Sequence, residues 1–215
     1  VTGLASANTD SMPLVVISGQ VATPVNGRDS FQEADISGIT TPITKHNYLV
    51  KNVKELPRVL KEAFYIATTG RPGPVLVDIA KDVFDTPFEF EYPEEVHLRG
   101  YQGHHVGNEA DVDRAVEAIE KAKRPFILTG GGVVLSNMSD RLKHSVQQTH
   151  VPGVTTLRGK GCVPDTYDAH LGMVGMHGSY AANMAVTKCA LLVAIGARFD
   201  DRVTGDVENF APPAQ

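Results

Sequence analysis

Only two cysteines, Cys162 and Cys189, occur in 215 residues. One possible pair is no disulfide framework, and their spacing fits no metal site, so both read as free thiols in a reducing compartment. No stretch approaches the roughly 18 consecutive apolar residues of a membrane helix, so no membrane partner is expected. The first residues lack the basic segment and apolar core of a signal peptide. Cationic excess is missing too: the formal net charge is -5, which argues against nucleic acid as a partner. No Walker loop, Ser-His-Asp arrangement or zinc spacing is found. The His104-His105 pair sits in a polar, glycine-containing stretch and reads as a solvated loop, since no Cys, Asp or Glu nearby completes a tetrahedral metal set. No metal site is therefore expected on this chain, and there is no internal repeat.

What is present is the grammar of a parallel α/β protein. An apolar run at 14–18 predicts a buried strand, and 43–50 a second. Asn52 and Glu55 resemble a capping box. Val53, Leu56, Val59, Leu60, Ala63, Phe64 and Ala67 then recur at helical spacing, with Pro57 early enough to be tolerated and Gly70 placed to end the helix. Residues 74–80 (PVLVDIA) predict another buried strand. From Phe84 to Asn108 proline and glycine punctuate an acidic, aromatic stretch without period, expected to be an interdomain linker. A second unit follows. Its first helix starts near Asn108, with Val112, Ala115, Val116, Ile119 and Ala122 on one face. Strands are predicted at 125–129, 154–157 and 190–195, and helices at 137–148 and 179–187. The chain begins on Val1 and ends directly after a motif-rich segment, so it is expected to be an internal piece of a longer protein.

Several motifs fall at predicted strand ends, where open parallel sheets bind ligands. Gly130-Gly131-Gly132 follows one strand; it permits close backbone approach but does not match the dinucleotide fingerprint. Gly196-Ala197-Arg198-Phe199-Asp200-Asp201-Arg202 follows another and places two arginines, each able to grip a carboxylate or phosphate, beside acids that equally suit a surface ion-pair cluster. The 171–178 stretch (LGMVGMHG) offers methionines that adapt to a flat ring, or that fill a core. Gly70-Arg71 is a rigid turn, Lys81 lies just past a strand, and Glu33 suits a helix start. Read this way, the residues point to a nucleotide or cofactor site and stop short of a reaction.

Taken together, DSMPLVVISGQV (10–21), GRDSFQEAD (27–35), TKHNYLV (44–50), GRPGPVLVDIAKDV (70–83), GGGVVLSN (130–137), LGMVGMHGSYAANMA (171–185) and GARFDDRVTG (196–205) resemble the large catalytic subunit of acetolactate synthase. That resemblance implies two parallel-sheet, three-layer α/β domains. Residues 1–83 would be the C-terminal part of a thiamine-diphosphate pyrimidine-binding domain, 84–108 a linker, and 109–215 a truncated, Rossmann-like central FAD-binding domain. It implies condensation of two 2-keto acids with loss of CO2 in branched-chain amino-acid biosynthesis. It also implies thiamine diphosphate, Mg2+ bound by ligands outside this piece, FAD in no net redox role, a homodimer or homotetramer, a small regulatory subunit and a cytoplasmic location. Carried over by position, Gln32 and Phe31 would line the thiamine end of the active site. Arg202 would hold the carboxylate of the second keto acid. Lys45, Lys81, Met176 and Asp201 would line the substrate channel. Ser11, Arg71, Gly131, Thr156, Leu157, Val174, Gly175, Met176, His177, Gly196, Ala197, Arg198, Phe199 and Asp200 would contact FAD, and Gln32 the thiamine cofactor. Arg158 and Lys160 depart from the family pattern by putting two cations beside the expected flavin site. Two rivals stay open: another thiamine-diphosphate carboligase (glyoxylate carboligase or an FAD-free catabolic acetolactate synthase), and a non-catalytic flavin-binding module.

Overall fold

A computed structural model of the chain describes residues 1–103 and 106–214, so the His104-His105 pair and Gln215 lie outside the described residues. The chain forms two compact units, Val1–Val106 and Gly107–Gln215. Each is an α/β unit with its own all-parallel sheet.

The first unit runs α1 (Thr2–Thr9), β1 (Leu14–Gln20), α2 (Ile36–Thr40), β2 (His46–Val50), α3 (Leu56–Thr68), β3 (Pro74–Ala80) and α4 (Lys81–Phe84), with sheet order β1-β3-β2. β3 is central and buried along its whole length, as a continuous apolar run demands. Its exception, Asp78, accepts from Ser18 Oγ at 2.7 Å and Gln20 Nε2 at 3.0 Å. Those donors on β1 satisfy a carboxylate that burial would otherwise penalise. β1, expected to be buried, is instead an edge strand with Ile17 exposed, because only β3 flanks it. The capping box is half realised. Asn52 Oδ1 accepts from Lys54 N at 3.1 Å, but the Glu55 carboxylate faces Arg58 at 4.0 Å. The buried side of α3 carries Val59, Ala63, Ile66 and Ala67, whereas Phe64, placed there by spacing, is exposed.

The expected linker differs from the structure. Residues 84–103 are largely irregular, yet Phe88, Leu98 and Tyr101 pack against the first unit's core. Gly70 N donates to Gly103 O at 2.8 Å, and Lys61 Nζ to Glu94 O at 2.7 Å. Aromatic side chains and backbone carbonyls thus turn a stretch without period into a strap on that unit, and the division falls between Val106 and Gly107.

The second unit comprises α5 (Glu109–Lys121), β4 (Pro125–Thr129), α6 (Gly131–Leu135), α7 (Ser139–Thr149), β5 (Gly153–Thr155), β6 (His170–Met173), α8 (Tyr180–Lys188), β7 (Leu191–Ile195) and α9 (Asp201–Thr204), with sheet order β6-β5-β4-β7. Alternation along β4 sends Phe126 and Leu128 into a core with Ala182 and Val186 of α8, and Ile127 into another with Leu142 and Val146 of α7. Helices therefore cover both faces, giving three layers. Both cysteines are free and buried. Two expectations change. α5 caps on Asn108, whose Oδ1 accepts from Ala110 N at 3.0 Å, but none of its residues is buried and Val112 and Val116 are exposed. β6 takes in the start of the stretch read as a glycine-rich loop, because His170 and Met173 pair with Gly153 and Thr155 of β5, across a register shift, before the chain turns. Among the described residues no helix is long and apolar enough to cross a membrane.

Candidate functional site at the carboxyl edge of the four-stranded sheet

Because every strand of the second sheet is parallel, the segments that follow β4, β5, β6 and β7 emerge on one edge. They are 130–132, 156–159, 174–178 and 196–202. The chain steps from β4 to β5 to β6 on one side and returns to the other side of β4 with β7. The direction of winding thus reverses between β4 and β7, the place where open α/β sheets bind ligands.

Glycine is required there by backbone packing. Gly130 N donates to Ile195 O at 2.9 Å and Gly132 N to Gly196 O at 2.8 Å. A Cβ on Gly130 would lie 2.3 Å from Gly196 O, and one on Gly196, which has φ +59°, 2.6 Å from Val133 N. The two strand ends therefore touch through main chain alone. Gly131 meets the next segment, since its Cβ would lie 2.9 Å from Arg158 Cβ. That segment is held to β4 by Thr156 N, which donates to Thr129 O at 2.8 Å, while Thr156 Oγ1 accepts from Gly159 N at 3.2 Å.

The turn after β6 is locked to the segment after β7. Met176 N donates to Arg202 O at 2.9 Å, and Arg202 Nη1 lies 3.1 Å from Met176 Sδ. Gly175, with φ +102°, leaves no room for a side chain, since a Cβ would meet Arg202 O at 2.2 Å. Asn183 of α8 clamps the same turn: its Oδ1 accepts from Gly175 N at 2.8 Å and its Nδ2 donates to Gly175 O at 3.1 Å. Sequence reasoning missed Asn183; its only signal was a lone amide in an alanine-rich helix. Asp200 caps α9, accepting from Arg202 N at 3.1 Å and Val203 N at 3.2 Å. Arg198 pairs with Asp200 at 3.0 Å and Arg202 with Asp201 at 3.6 Å.

The expected site residues of this unit thus share one edge, in two roles. Val174 and Ala197 belong to the core beneath it. Leu157 (72% exposed), Met176 (60%) and Phe199 (56%) stand out from it, with His177 also exposed. Three large apolar side chains on a polar, cationic rim form a surface that a flat aromatic ring would cover. The fit to a flavin therefore rests on these exposed side chains rather than on the glycines, which are occupied by backbone.

In the first unit the expected residues lie at opposite ends of the sheet. Phe31, Gln32 and Lys81 follow the carboxyl ends of β1 and β3. Phe31 is 88% exposed, Gln32 has φ +60°, and Lys81 is exposed at the start of α4. Glu33 organises their loop by accepting from Gly27 N, from Ser30 N at 2.9 Å and from Asn26 Nδ2 at 3.3 Å. The backbone donors, Gly27 foremost and then Ser30, hold its carboxyl below the usual carboxylate range. Ser11, Lys45 and Arg71 precede β1, β2 and β3, so they sit at the opposite, amino-terminal edge. Arg71 Nε donates to Ser11 Oγ at 2.8 Å and Nη2 to Asn8 O at 3.3 Å, which ties it to the C-terminal end of α1. Lys45 Nζ donates to Thr69 O at 2.6 Å, to Ile66 O and to the Tyr101 hydroxyl at 3.2 Å. Its charge is spent on the last carbonyls of α3, where a cation is favoured.

Concavities of roughly 300 Å³ occur elsewhere, beside α7 and at the amino-terminal edge of β4 and β7. Neither of them is the edge described above. Among the described residues no group of three or more His, Cys, Asp or Glu is placed to hold a metal ion.

Residues 112–215 match the thiamine pyrophosphate enzyme central-domain family. The whole chain is 48% identical over 215 residues to the acetolactate synthase large subunit of Corynebacterium glutamicum, covering 34% of that protein. It is 49% identical over 218 residues to a probable acetolactate synthase large subunit of Methanocaldococcus jannaschii, covering 37%. To the isozyme 3 large subunit of Escherichia coli it is 43% identical over 216 residues, covering 38%. The chain spans about a third of the length of these curated relatives.

Two outcomes follow from the geometry. Gly196→Ala adds a methyl against backbone at positive φ and is expected to cost about 2–4 kcal/mol, read as a lowered urea midpoint with unchanged slope; an unchanged midpoint contradicts the packing. Glu33 contributes order to its loop above the unfolded-chain value near about 4.3, and that contribution is lost as pH falls through the lower folded value. Protection factors at the Gly27 and Ser30 amides should therefore survive below the ordinary glutamate value, fall only as pH drops through the lower folded one, and follow no carboxyl titration in Glu33→Gln; protection already lost above the ordinary glutamate value would contradict the assignment.

Proposed function

We propose that the chain, similar along its whole length to acetolactate synthase large subunits, forms part of a thiamine-diphosphate enzyme condensing two 2-keto acids with loss of CO2. The observation that carries the reading is the Met176–Arg202 contact at the carboxyl edge of the second sheet. It places a guanidinium beside an exposed thioether, at an edge built to accept a ring. Arg202 orients the carboxylate of the acceptor keto acid through its planar fork. Leu157, Met176 and Phe199 take the flavin ring, with His177 at the same turn, and Thr156 and 196–200 supply backbone and polar contacts. Thiamine diphosphate, where bound, supplies the electron sink that makes pyruvate decarboxylation feasible. Phe31 and Gln32 face that chemistry from the first unit, on a loop kept in shape by Glu33. Lys81 in the first unit and Asp201 in the second are each assigned a contact with substrate.

The Mg2+ ligands are assigned to the part of the protein outside this chain. The enzyme works as an oligomer with a small regulatory subunit, in the cytoplasm, and takes pyruvate with pyruvate or 2-ketobutyrate. The names of the relatives favour this reading over an FAD-free carboligase or a flavin-binding module without catalysis.

The test is acetolactate formation by the full-length protein with thiamine diphosphate, Mg2+ and FAD omitted in turn. Each omission is expected to abolish turnover, and Arg202→Lys to raise KM for the acceptor keto acid at least about tenfold, the loss of one bidentate contact. Turnover without FAD, or an unchanged KM in Arg202→Lys, contradicts the reading.

A further inference from the structure

A second hollow lies away from the carboxyl edge, where α7 covers the four-stranded sheet. Its mouth is a concavity of about 300 Å³ lined by Lys143, Val146, Gln147, Val163, Thr166 and Tyr167, at the lower end of the range for small-ligand sites. A recess of about 10 Å³ against the sheet shares Val146, Val163 and Tyr167 with it and adds Thr129 and His170. The recess admits one group about the size of a water molecule.

His170 is the unusual member. Its side chain is 3% exposed, and neither ring nitrogen has a hydrogen-bond partner. Asp165 Oδ1 stands 3.3 Å from Nδ1, close enough to attract but not aligned as a hydrogen bond. Burial lowers the imidazole pKa, with the Asp165 charge opposing. At neutral pH the ring is therefore uncharged, with one donor and one acceptor, both unsatisfied. Buried polar atoms are normally paired, so this imidazole marks a place where a partner would be gained. The flanking charges are accounted for: Lys160 lies 3.9 Å from Asp165, and His150 Nδ1 lies 3.4 Å from the Tyr167 hydroxyl. At the mouth, Lys143 forms no ion pair with any described residue and is partly buried.

We propose that this two-part hollow binds a short, branched aliphatic carboxylate that carries a hydroxyl or carbonyl group. The hydroxyl or carbonyl enters the recess and pairs with His170. The aliphatic body packs on Val146, Val163 and Tyr167. The carboxylate meets Lys143, with Gln147 and Thr166 as neutral partners. The site is separate from the edge assigned to the keto-acid chemistry, so it stands or falls independently of that assignment.

The probe is 2-hydroxyisobutyrate, titrated into the 215-residue chain while the His170 ring resonances are followed by NMR and assigned by comparison with His170→Gln. A saturable shift with a dissociation constant on the order of 1 mM is expected. Lys143→Met, on the partly exposed side of α7, and the neutral amide of the probe should each weaken binding about tenfold, as the loss of one charge-assisted contact. A His170 resonance that stays put at about 20 mM probe, well above that constant, overturns the proposal. So does a shift of equal size and midpoint in Lys143→Met.

Discussion

The second unit depends on one close approach: main chain against main chain where β4 and β7 end. Gly130, Gly132 and Gly196 bring two strand termini into direct hydrogen-bonded contact at the point where the winding of the sheet reverses. A single Cβ there displaces backbone, which cannot yield as a side-chain tip can. With that contact in place, the segments after β5 and β6 have a fixed neighbour on each side. Thr156 ties one to β4, and Asn183 with Arg202 ties the other to α8 and α9. The exposed side chains Leu157, Met176 and Phe199 then stand on main chain that is already determined. A surface assembled in this way is preorganised, which would reduce the ordering cost of a ligand.

Much of this was legible in the residues. Strands 74–80, 125–129 and 190–195 announced themselves as apolar runs stopped by glycine or a charge, and the structure returns them within a residue or so. Asn108 and Asn52 acted as caps. What misled was context. β1 is apolar enough for a central strand but has one neighbour. α5 is amphipathic, yet none of its residues is buried by the described residues. Residues 84–103 carry no period, so nothing local foretold that Tyr101 would close over Thr69 and Lys45. Periodicity reports which face wants burial; it does not report what arrives to bury it.

The candidate site was legible in position and partly obscure in role. Glycines after a strand suggested ligand approach, and the geometry gives them to backbone packing instead. Lys45 and Arg71, assigned by resemblance to the channel and the flavin, each hold the C-terminal carbonyls of a helix. They also stand at the amino edge of the first sheet, opposite Phe31, Gln32 and Lys81. No spacing rule separates the two edges, because residues before and after a strand look alike in sequence. Only the parallel topology sorts them.

The central proposal is that the carboxyl edge of the four-stranded sheet takes a flavin on exposed apolar side chains held by locked main chain. Hydrogen exchange of the chain with and without saturating FAD tests it most directly. The account predicts slowed exchange confined to the segments after β4, β5, β6 and β7, lost when Met176 and Leu157 are both replaced by Ser. Flavin that binds without protecting those four segments, or that protects them equally in the double variant, would contradict it.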